Sequence, residues 1–451
     1  MPTVVGGTTQ PCPECGARIH ADDRFTVWCA ACDWNVDPKG HQQEREKEEE
    51  RGRRGKRAGR DRLEEARRAL ARRYGERLHT EMAQEGAGPR ARWDGATTLG
   101  YAIALAVHGV TAALLAAGVF CLVWGWGGGL VLLGAVLLAM AVALRPRLPG
   151  PSDDDGTVLR RADAPELYAL VDEVARAVGT RGVDRITVGK EINASVVSQG
   201  VRGRRALSLG LPLWEVLSPQ QRVALLGHEL GHYGNGDTRR GVVVATALRS
   251  LTVWRYYFTP IARPTVGEML VNAVCAVPLL LVQGVLSLLD HLTLRATQRG
   301  EYLADREAAR AGSTEAAAAL MDQLLMTESI DVFLRREVSN AALTGARSAR
   351  RAAGASADTQ DAGGGLWTRL AAHIASVPEH EYERQRRAGA RRGHSVDATH
   401  PPTHLRRACL LAGPPSRAAV LLDDDRSGRI TAELAGARAE VARRIVRDGM
   451  G

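Results

Sequence analysis

The chain has 451 residues, and its 60 Lys and Arg against 51 Asp and Glu give a formal net charge of +9. This length can bury a sizeable core and carry additional modules, and the positive charge suits an anionic membrane surface as well as nucleic acid. Four of the seven cysteines are regularly spaced near the N-terminus, a pattern that indicates metal binding and argues against a disulfide framework.

The first forty residues predict a zinc ribbon. Cys12 and Cys15, and then Cys29 and Cys32, form two C-x-x-C pairs separated by thirteen residues. Four thiolates can close a tetrahedral structural zinc site, and metal binding then supplies the free energy of folding for so small a unit. We expect short strands at Arg18–His20 and Thr26–Trp28.

Alternatives remain for this N-terminal unit. A redox dithiol is one, although it needs only a single C-x-x-C pair. Met1–Gln10 lacks the features of a secretory signal peptide, so we expect the ribbon in a reducing compartment. The sequence does not identify what the ribbon binds, and nucleic acid, a partner protein and a substrate all remain open.

Residues 41–95 are rich in Glu and Arg and poor in apolar side chains, and Asp61–Arg77 has the composition of a charged helix. A solvated helical linker is the expected structure, and a nucleic-acid-binding arm is the alternative. Because Glu46 and Glu48–Glu50 would repel phosphate, nucleic acid is not expected as a partner of this segment.

Residues 96–148 predict a transmembrane hairpin. Leu99–Val123 and Gly127–Leu144 are almost wholly apolar, and about 20 such residues cross a bilayer core. Trp124 and Trp126 would mark the far interface. His108, inside the first span, is expected to make a polar contact between helices.

Arginines flank this hairpin on both sides, whereas its connector carries no charge; they are Arg90, Arg92, Arg145 and Arg147. The excess of positive charge on cytoplasmic loops then places both flanks of the hairpin on the cytoplasmic side.

A helix and three short strands are predicted after the hairpin. Ala164–Val178 has an apolar stripe at helical spacing. Arg185–Val188, Glu191–Val197 and Ala206–Leu211 read as strands. A small sheet beside helices is therefore expected.

The helix predicted over Gln220–Asn235 contains the pattern H-E-x-x-H. His228 and His232 lie one turn apart on the same helix face. Two neutral imidazoles at that spacing can bind one zinc ion, and Glu229 lies beside them to take a proton from the attacking water.

Two apolar segments follow, Gly241–Phe258 and 269–292, and then Glu301 and Asp305 at positions i and i+4 of a helix. A catalytic zinc site needs a third protein ligand, for which Glu301 is the candidate. Asp305 would accept a hydrogen bond from a ligating histidine. Because His232 and Glu301 must reach one ion, an even number of crossings separates them. We expect both segments to span, giving four spans in total.

The C-terminal third contains four further features. Gly345–Gly365 is low-complexity Ala/Gly/Ser/Arg sequence and predicts a mobile loop. Leu366–Ile374 predicts a short amphipathic helix that touches lipid. His400, after Thr399 and before two prolines, is expected in an extended turn, six residues before Arg406. Residues 411–451 read as a helical tail.

Several of these motifs resemble metallopeptidase family 48, which holds the HtpX-type membrane proteases and the type 1 CAAX prenyl proteases. They are H-E-L-G-H with Asp237 five residues on, E-Y-L-A-D at Glu301–Asp305, and His400-Pro401-Pro402 with Arg406. The resemblance covers about residues 155–410. It implies a mainly α, gluzincin-type protease domain with a small β-sheet.

The resemblance also implies roles for residues outside the ligand set. Ile192–Ser195 looks like the family's Asn-Ala edge-strand motif, although Ser195 stands where an aromatic residue is common. Asn193 and Ala194 would then bind an extended peptide at the sheet edge. His400 and Arg406 would donate hydrogen bonds to the oxyanion that forms during cleavage.

We therefore expect a multi-pass cell-membrane zinc endopeptidase with a catalytic and a structural zinc ion, both on the cytoplasmic side. Its polypeptide substrates are expected to be membrane proteins or unfolded segments near the bilayer. The alternatives are a membrane-tethered zinc-ribbon binding protein with an inactive protease-like scaffold, and a prenyl-protein protease. The sequence does not determine the oligomeric state.

Overall fold

Helices make up most of the molecule, as expected for a mainly α protein with a small sheet. The computed structural model describes residues 8–21, 24–38, 40, 69, 73–82, 95–125, 128–146, 156–200, 203–234, 238–351, 362–394 and 400–449. The predicted linker over 41–95 lies mostly outside the described residues, as do Trp126, the arginines at 90, 92 and 147, Asp237 and Thr399.

The strands are β1 Thr8–Pro11, β2 Arg18–Ala21, β3 Thr157–Leu159, β4 Arg185–Gly189, β5 Ala194–Gln199 and β6 Arg204–Gly210. The helices are α1 Gly95–Trp124, α2 Leu130–Ala143, α3 Pro165–Ala177, α4 Leu211–Val216, α5 Pro219–Gly234, α6 Thr238–Tyr257, α7 Val266–Gly312, α8 Thr314–Leu324, α9 Thr327–Arg351, α10 Ala362–Ala375, α11 Glu379–Arg392, α12 Thr403–Ala412, α13 Asp424–Glu433 and α14 Ala435–Asp448. Residues 73–82 are also helical.

The ribbon pairs its strands differently from the prediction. β1 and β2 are antiparallel, with Thr8 opposite Ala21 and Pro11 opposite Arg18. The predicted strand at Thr26–Trp28 is wrong, because the partner of β2 comes from the residues before the first cysteine pair. Each C-x-x-C pair is followed by a tight turn. The residue with positive φ is Gly16 in the first turn and Asp33 in the second.

The ribbon is docked on α11 through that second turn. Arg387 and Arg391 donate to the two carboxylate oxygens of Asp33 at 2.7 and 3.0 Å. The hydrogen bond from Arg387 is the main reason that the pKa of Asp33 lies below its ordinary value. Arg387 also donates to the Ala30 carbonyl, and buried Arg384 donates to the Val36 carbonyl. The zinc ribbon is thus in contact with the rest of the chain.

Four helices, α1, α2, α6 and α7, form an apolar group of their own. Their shared buried cluster includes Ala104, Leu144, Leu251 and Leu289. His108 Nε2 lies 3.2 Å from Thr246 Oγ1 and near the Val243 carbonyl, which is the interhelical polar contact expected of it.

Among the described helices, α1 and α7 are long and apolar enough to cross a membrane, and α2 is apolar but shorter. α6, with its interior arginine at position 249, is not one of them. The apolar stretches of α1 and α7 are mostly exposed, and so much uncovered apolar surface indicates association with a membrane.

α7 is longer than predicted. It runs for 47 residues and carries both the expected span and Glu301 without a break. It then ends at Gly312, because Ser313 adopts a positive φ and begins α8 by accepting a hydrogen bond from Ala316 N on its side chain.

The four-stranded sheet has the order β3-β4-β6-β5, so β5 is an outer strand. β4 and β6 are parallel, and β5 is antiparallel to β6. Tyr168 of α3 fixes this sheet by donating to the Leu159 carbonyl at 2.8 Å and accepting from Ile186 N at 3.0 Å. β5 begins at Ala194, three residues later than predicted.

Two predictions for the C-terminal third are wrong. The low-complexity stretch is helical up to Arg351 and again from Ala362, because its Ala and Arg residues are good helix formers; residues 352–361 lie outside the described part. The amphipathic helix α10 does not face lipid, since Leu366, Trp367 and Ile374 are buried in the protease core.

The C-terminal residues, treated above as an appended tail, pack into that same core. Val420, Ile430, Val441 and Ile445 are all buried there. The unit that contains the four-stranded sheet therefore continues almost to residue 449.

The helices α5 and α7 pack closely against each other. A Cβ atom added at Gly227 would lie 2.8 Å from the Cβ of Ala311, and one added at Gly231 would lie 2.9 Å from the Cβ of Glu307. Because these two glycines lie one turn apart, the backbone of α5 approaches α7 along a face that carries no side chains.

We predict that Gly227→Ala lowers the free energy of unfolding by about 1–3 kcal/mol, because the extra methyl forces the two helices apart. It should also weaken zinc binding, since the helices carry different ligands. The measurements are the thermal midpoint of the detergent-solubilised protein and a zinc-chelator competition. The control is Gly300→Ala, where an added Cβ meets nothing within 4 Å. Equal behaviour of the two variants would contradict the prediction.

Candidate catalytic metal centre

Two helices bring the predicted ligands together. α5 presents His228 and His232, and α7 presents Glu301. His228 Nε2 lies 3.5 Å from Glu301 Oε2, and His232 Nε2 lies 3.6 Å from Glu301 Oε1. One donor atom from each of the three residues lies within 4.8 Å of the others, so the three could hold one metal ion.

The geometry fits zinc. Ligand atoms 2.0–2.2 Å from a tetrahedral zinc ion are separated from one another by about 3.4 Å, close to the distances above. Glu301 Oε2 is buried and accepts no hydrogen bond from any described residue. Leaving a buried carboxylate oxygen without a partner is costly, and a metal ion would supply that partner.

Glu229 lies between the two histidines in sequence and is half-buried in the structure. Burial raises the pKa of its carboxyl to about 7, and the charge of Glu301 adds to that shift. A carboxyl group with a pKa near neutrality can both accept and return a proton, which suits the expected general base.

Asp305 and Arg406 lie behind the ligands. His228 Nδ1 is 3.0 Å from Asp305 Oδ1, in position to donate to it. Arg406 donates to the same carboxylate from Nε at 2.8 Å and from Nη2 at 2.6 Å. Burial alone would raise the pKa of Asp305, but the charge and hydrogen bonds of Arg406 outweigh it and hold that pKa well below its ordinary value.

Burial affects the two imidazoles differently. It lowers the pKa of His232 to about 3, helped by the positive charges of His228 and His400. Burial also disfavours the charged form of His228, but the hydrogen bond to Asp305, together with the negative charges of Asp305 and Glu301, outweighs it and the pKa of His228 is raised. Within the described residues, His228 alone of the two imidazoles is tied to a carboxylate through its second ring nitrogen.

His400 stands beside the ligand set, half-buried, with Nε2 3.1 Å from Glu301 Oε2. Arg406 was expected to donate a hydrogen bond to the oxyanion. The residue is only 1% exposed, and its guanidinium donates to Asp305 instead. The structure thus brings both residues to the centre, where Arg406 Nη2 also lies 3.7 Å from Glu301 Oε2.

Asn193 and Ala194 lie at the start of the outer strand β5. The Asn193 side chain accepts a hydrogen bond from Ala194 N at 2.8 Å. Their position at a sheet edge is the one expected for residues that bind an extended peptide.

The four N-terminal cysteines form a second group. Their sulfur atoms lie within 4.8 Å of one another, with 3.7 Å between Cys12 and Cys32 and 3.6 Å between Cys15 and Cys29. Sulfur atoms 2.3 Å from a tetrahedral zinc ion are about 3.8 Å apart. This cluster is consistent with a zinc ribbon.

The sequence analysis missed residues that act through distant contacts. Tyr233 donates to the carbonyl of Val196 in β5 at 3.0 Å, and only its position next to His232 could have drawn attention to it. No sequence pattern identified the arginines of α11 that hold the ribbon, because their partners lie some 350 residues away.

Comparison with known proteins agrees with this geometry. No solved structure matches the chain. The model of peptidase family M48 matches residues 161–412, which is more than half of the chain and contains the whole ligand set. The resemblance inferred from the motifs is confirmed, and the chain belongs to peptidase family M48, a family of zinc metallopeptidases.

Proposed function

We propose that the protein is a membrane-associated zinc endopeptidase that cleaves polypeptides close to the bilayer. The observation that carries the proposal is the convergence of His228, His232 and Glu301 beside a carboxyl group, Glu229, with a pKa of about 7. A zinc ion held by these residues lowers the pKa of water and polarises a carbonyl group.

The chain's own residues account for the proton transfers. Glu229 takes a proton from the water that attacks the scissile carbonyl carbon, and returns it to the nitrogen of the leaving amine as the C–N bond breaks. His400 is placed to donate a hydrogen bond to the oxyanion. Asp305 and Arg406 position His228, so that its Nε2 faces Glu301, where a zinc ion would be held.

The unbroken course of α7 supports the proposal that substrates lie near the membrane. Twelve residues separate Leu289, at the end of the apolar stretch, from Glu301, which corresponds to about 18 Å of helix. The centre therefore lies within reach of segments that emerge from the bilayer. Membrane proteins and unfolded segments are the proposed substrates, and the edge strand at Asn193 and Ala194 is proposed to pair with their backbone.

We further propose a multi-pass arrangement in the cell membrane, with the protease and the ribbon on the cytoplasmic side. The uncharged hairpin connector and the flanking Arg145 support this orientation. The four cysteines are proposed to hold a second, structural zinc ion.

We predict that Glu229→Gln abolishes peptide cleavage while zinc remains bound, because the amide cannot accept the proton and is not a ligand. The expected loss in kcat is about 10²- to 10⁴-fold, measured on a quenched-fluorescence peptide library in detergent or liposomes. Glu440→Gln, a change of the same chemistry on α14, should leave the rate unchanged. Full activity of Glu229→Gln would exclude the proposed mechanism.

Asp305→Asn should reduce the affinity for the catalytic zinc by about 10–100-fold, because His228 loses its charged partner and Arg406 loses the carboxylate that accepts its two hydrogen bonds. Competition with a chromophoric chelator measures this affinity. Asp331→Asn, at an exposed ion pair with Arg335, is the matched control. An unchanged affinity would mean that Asp305 does not orient His228.

The purified chain should contain two zinc ions. The double variant Cys15→Ser, Cys32→Ser should contain one, because two thiolates cannot close the ribbon site. His232→Ala with Glu301→Ala should also contain one. Elemental analysis of the purified protein decides this, and a single zinc ion in the unaltered protein would argue against a metal-bound ribbon.

A further inference from the structure

The open edge of β5 can be identified from its hydrogen bonds. Gly210 N donates to the Asn193 carbonyl at 2.8 Å, and the antiparallel register continues with Ala194 opposite Leu209. Hydrogen-bonded and non-bonded pairs alternate along such a ladder. The residues of β5 whose backbone groups point away from β6 are therefore Ala194, Val196 and Ser198.

Two other contacts agree with this assignment. Ala194 N donates to the Asn193 side chain and not to β6. On the far side of β6, the Arg205 carbonyl accepts from Asp184 N, so it points away from β5. The N–H and C=O groups of Val196 thus lie where an added peptide strand would pair.

One of these groups is already engaged. The Tyr233 hydroxyl donates to the Val196 carbonyl at 3.0 Å and lies 3.5 Å from Ser198 Oγ. Its ring is covered by the guanidinium of Arg205, 4.3 Å from the ring centre. Arg205 is itself held by hydrogen bonds to the Thr180 hydroxyl and the Arg181 carbonyl, so the tyrosine is fixed at the edge.

We propose that Tyr233 determines how far a substrate can pair with the edge strand, an inference that rests on the proposed peptidase function. Its hydroxyl fills the acceptor that a peptide N–H would need at Val196. Backbone pairing is then confined to the Ala194 end of β5, and peptide residues that pass Tyr233 gain no backbone hydrogen bond. The enzyme selects short extended stretches over long ones.

The test is Tyr233→Phe, which removes the hydroxyl but keeps the ring and its contact with Arg205. A peptide cleaved at one bond, identified by mass spectrometry, is extended by one residue at a time on each side of that bond. With the unaltered enzyme, kcat/KM should stop rising on one side. With Tyr233→Phe it should rise further there by roughly two- to tenfold, the effect of one added hydrogen bond.

Tyr256→Phe, which removes a hydroxyl from an exposed tyrosine of α6, should keep the profile of the unaltered enzyme. The same length profile in Tyr233→Phe, or an equal loss at every length, would overturn the inference while leaving the peptidase function intact. If zinc-loaded enzyme cleaved no peptide of any length, the proposed function would fail and the inference with it.

Discussion

The approach of α5 to α7 is the contact on which the metal centre depends. Gly227 and Gly231 present no side chains to α7, so the two backbones lie close enough for an imidazole pair on one helix to meet a carboxylate on the other. Small residues allow the same closeness between helices in membranes. Larger side chains at these two positions would move the helices apart and separate the ligands. The site therefore depends on the glycines as well as on the ligands.

Behind the ligands, a buried ion pair sets the electrostatics. Asp305 and Arg406 are both almost fully buried, and each would be costly there without the other. Together they leave a carboxylate that is placed to accept a hydrogen bond from Nδ1 of His228. This accounts for two charged residues in the interior, and it distinguishes Arg406, which is engaged by Asp305, from His400, whose Nε2 lies 3.1 Å from Glu301 Oε2.

The sequence predicted those parts of the site in which chemistry is encoded by local spacing. The H-E-x-x-H pair and the i, i+4 carboxylates each lie on one helix, so their geometry follows from the helical period. Contacts between residues far apart in the sequence could not be predicted in this way. Arg406 donates to Asp305, about a hundred residues earlier, and Tyr233 donates to Val196 on another element.

Fold predictions failed for a related reason. The apolar stripe of α10 has the same period whether it meets lipid or protein, and only the fold shows that Trp367 is buried. In the same way, a strand's partner is chosen by tertiary packing, so β2 pairs with β1 and not with the residues at Thr26–Trp28.

The docking of the ribbon on α11 has a geometric consequence. Arg384, Arg387 and Arg391 hold the ribbon at its second turn. The ribbon therefore has a fixed position relative to the residues of the metal centre. A macromolecule bound by the ribbon would be held at a fixed distance from Glu229. The ribbon would then determine which part of the bound molecule reaches the metal centre.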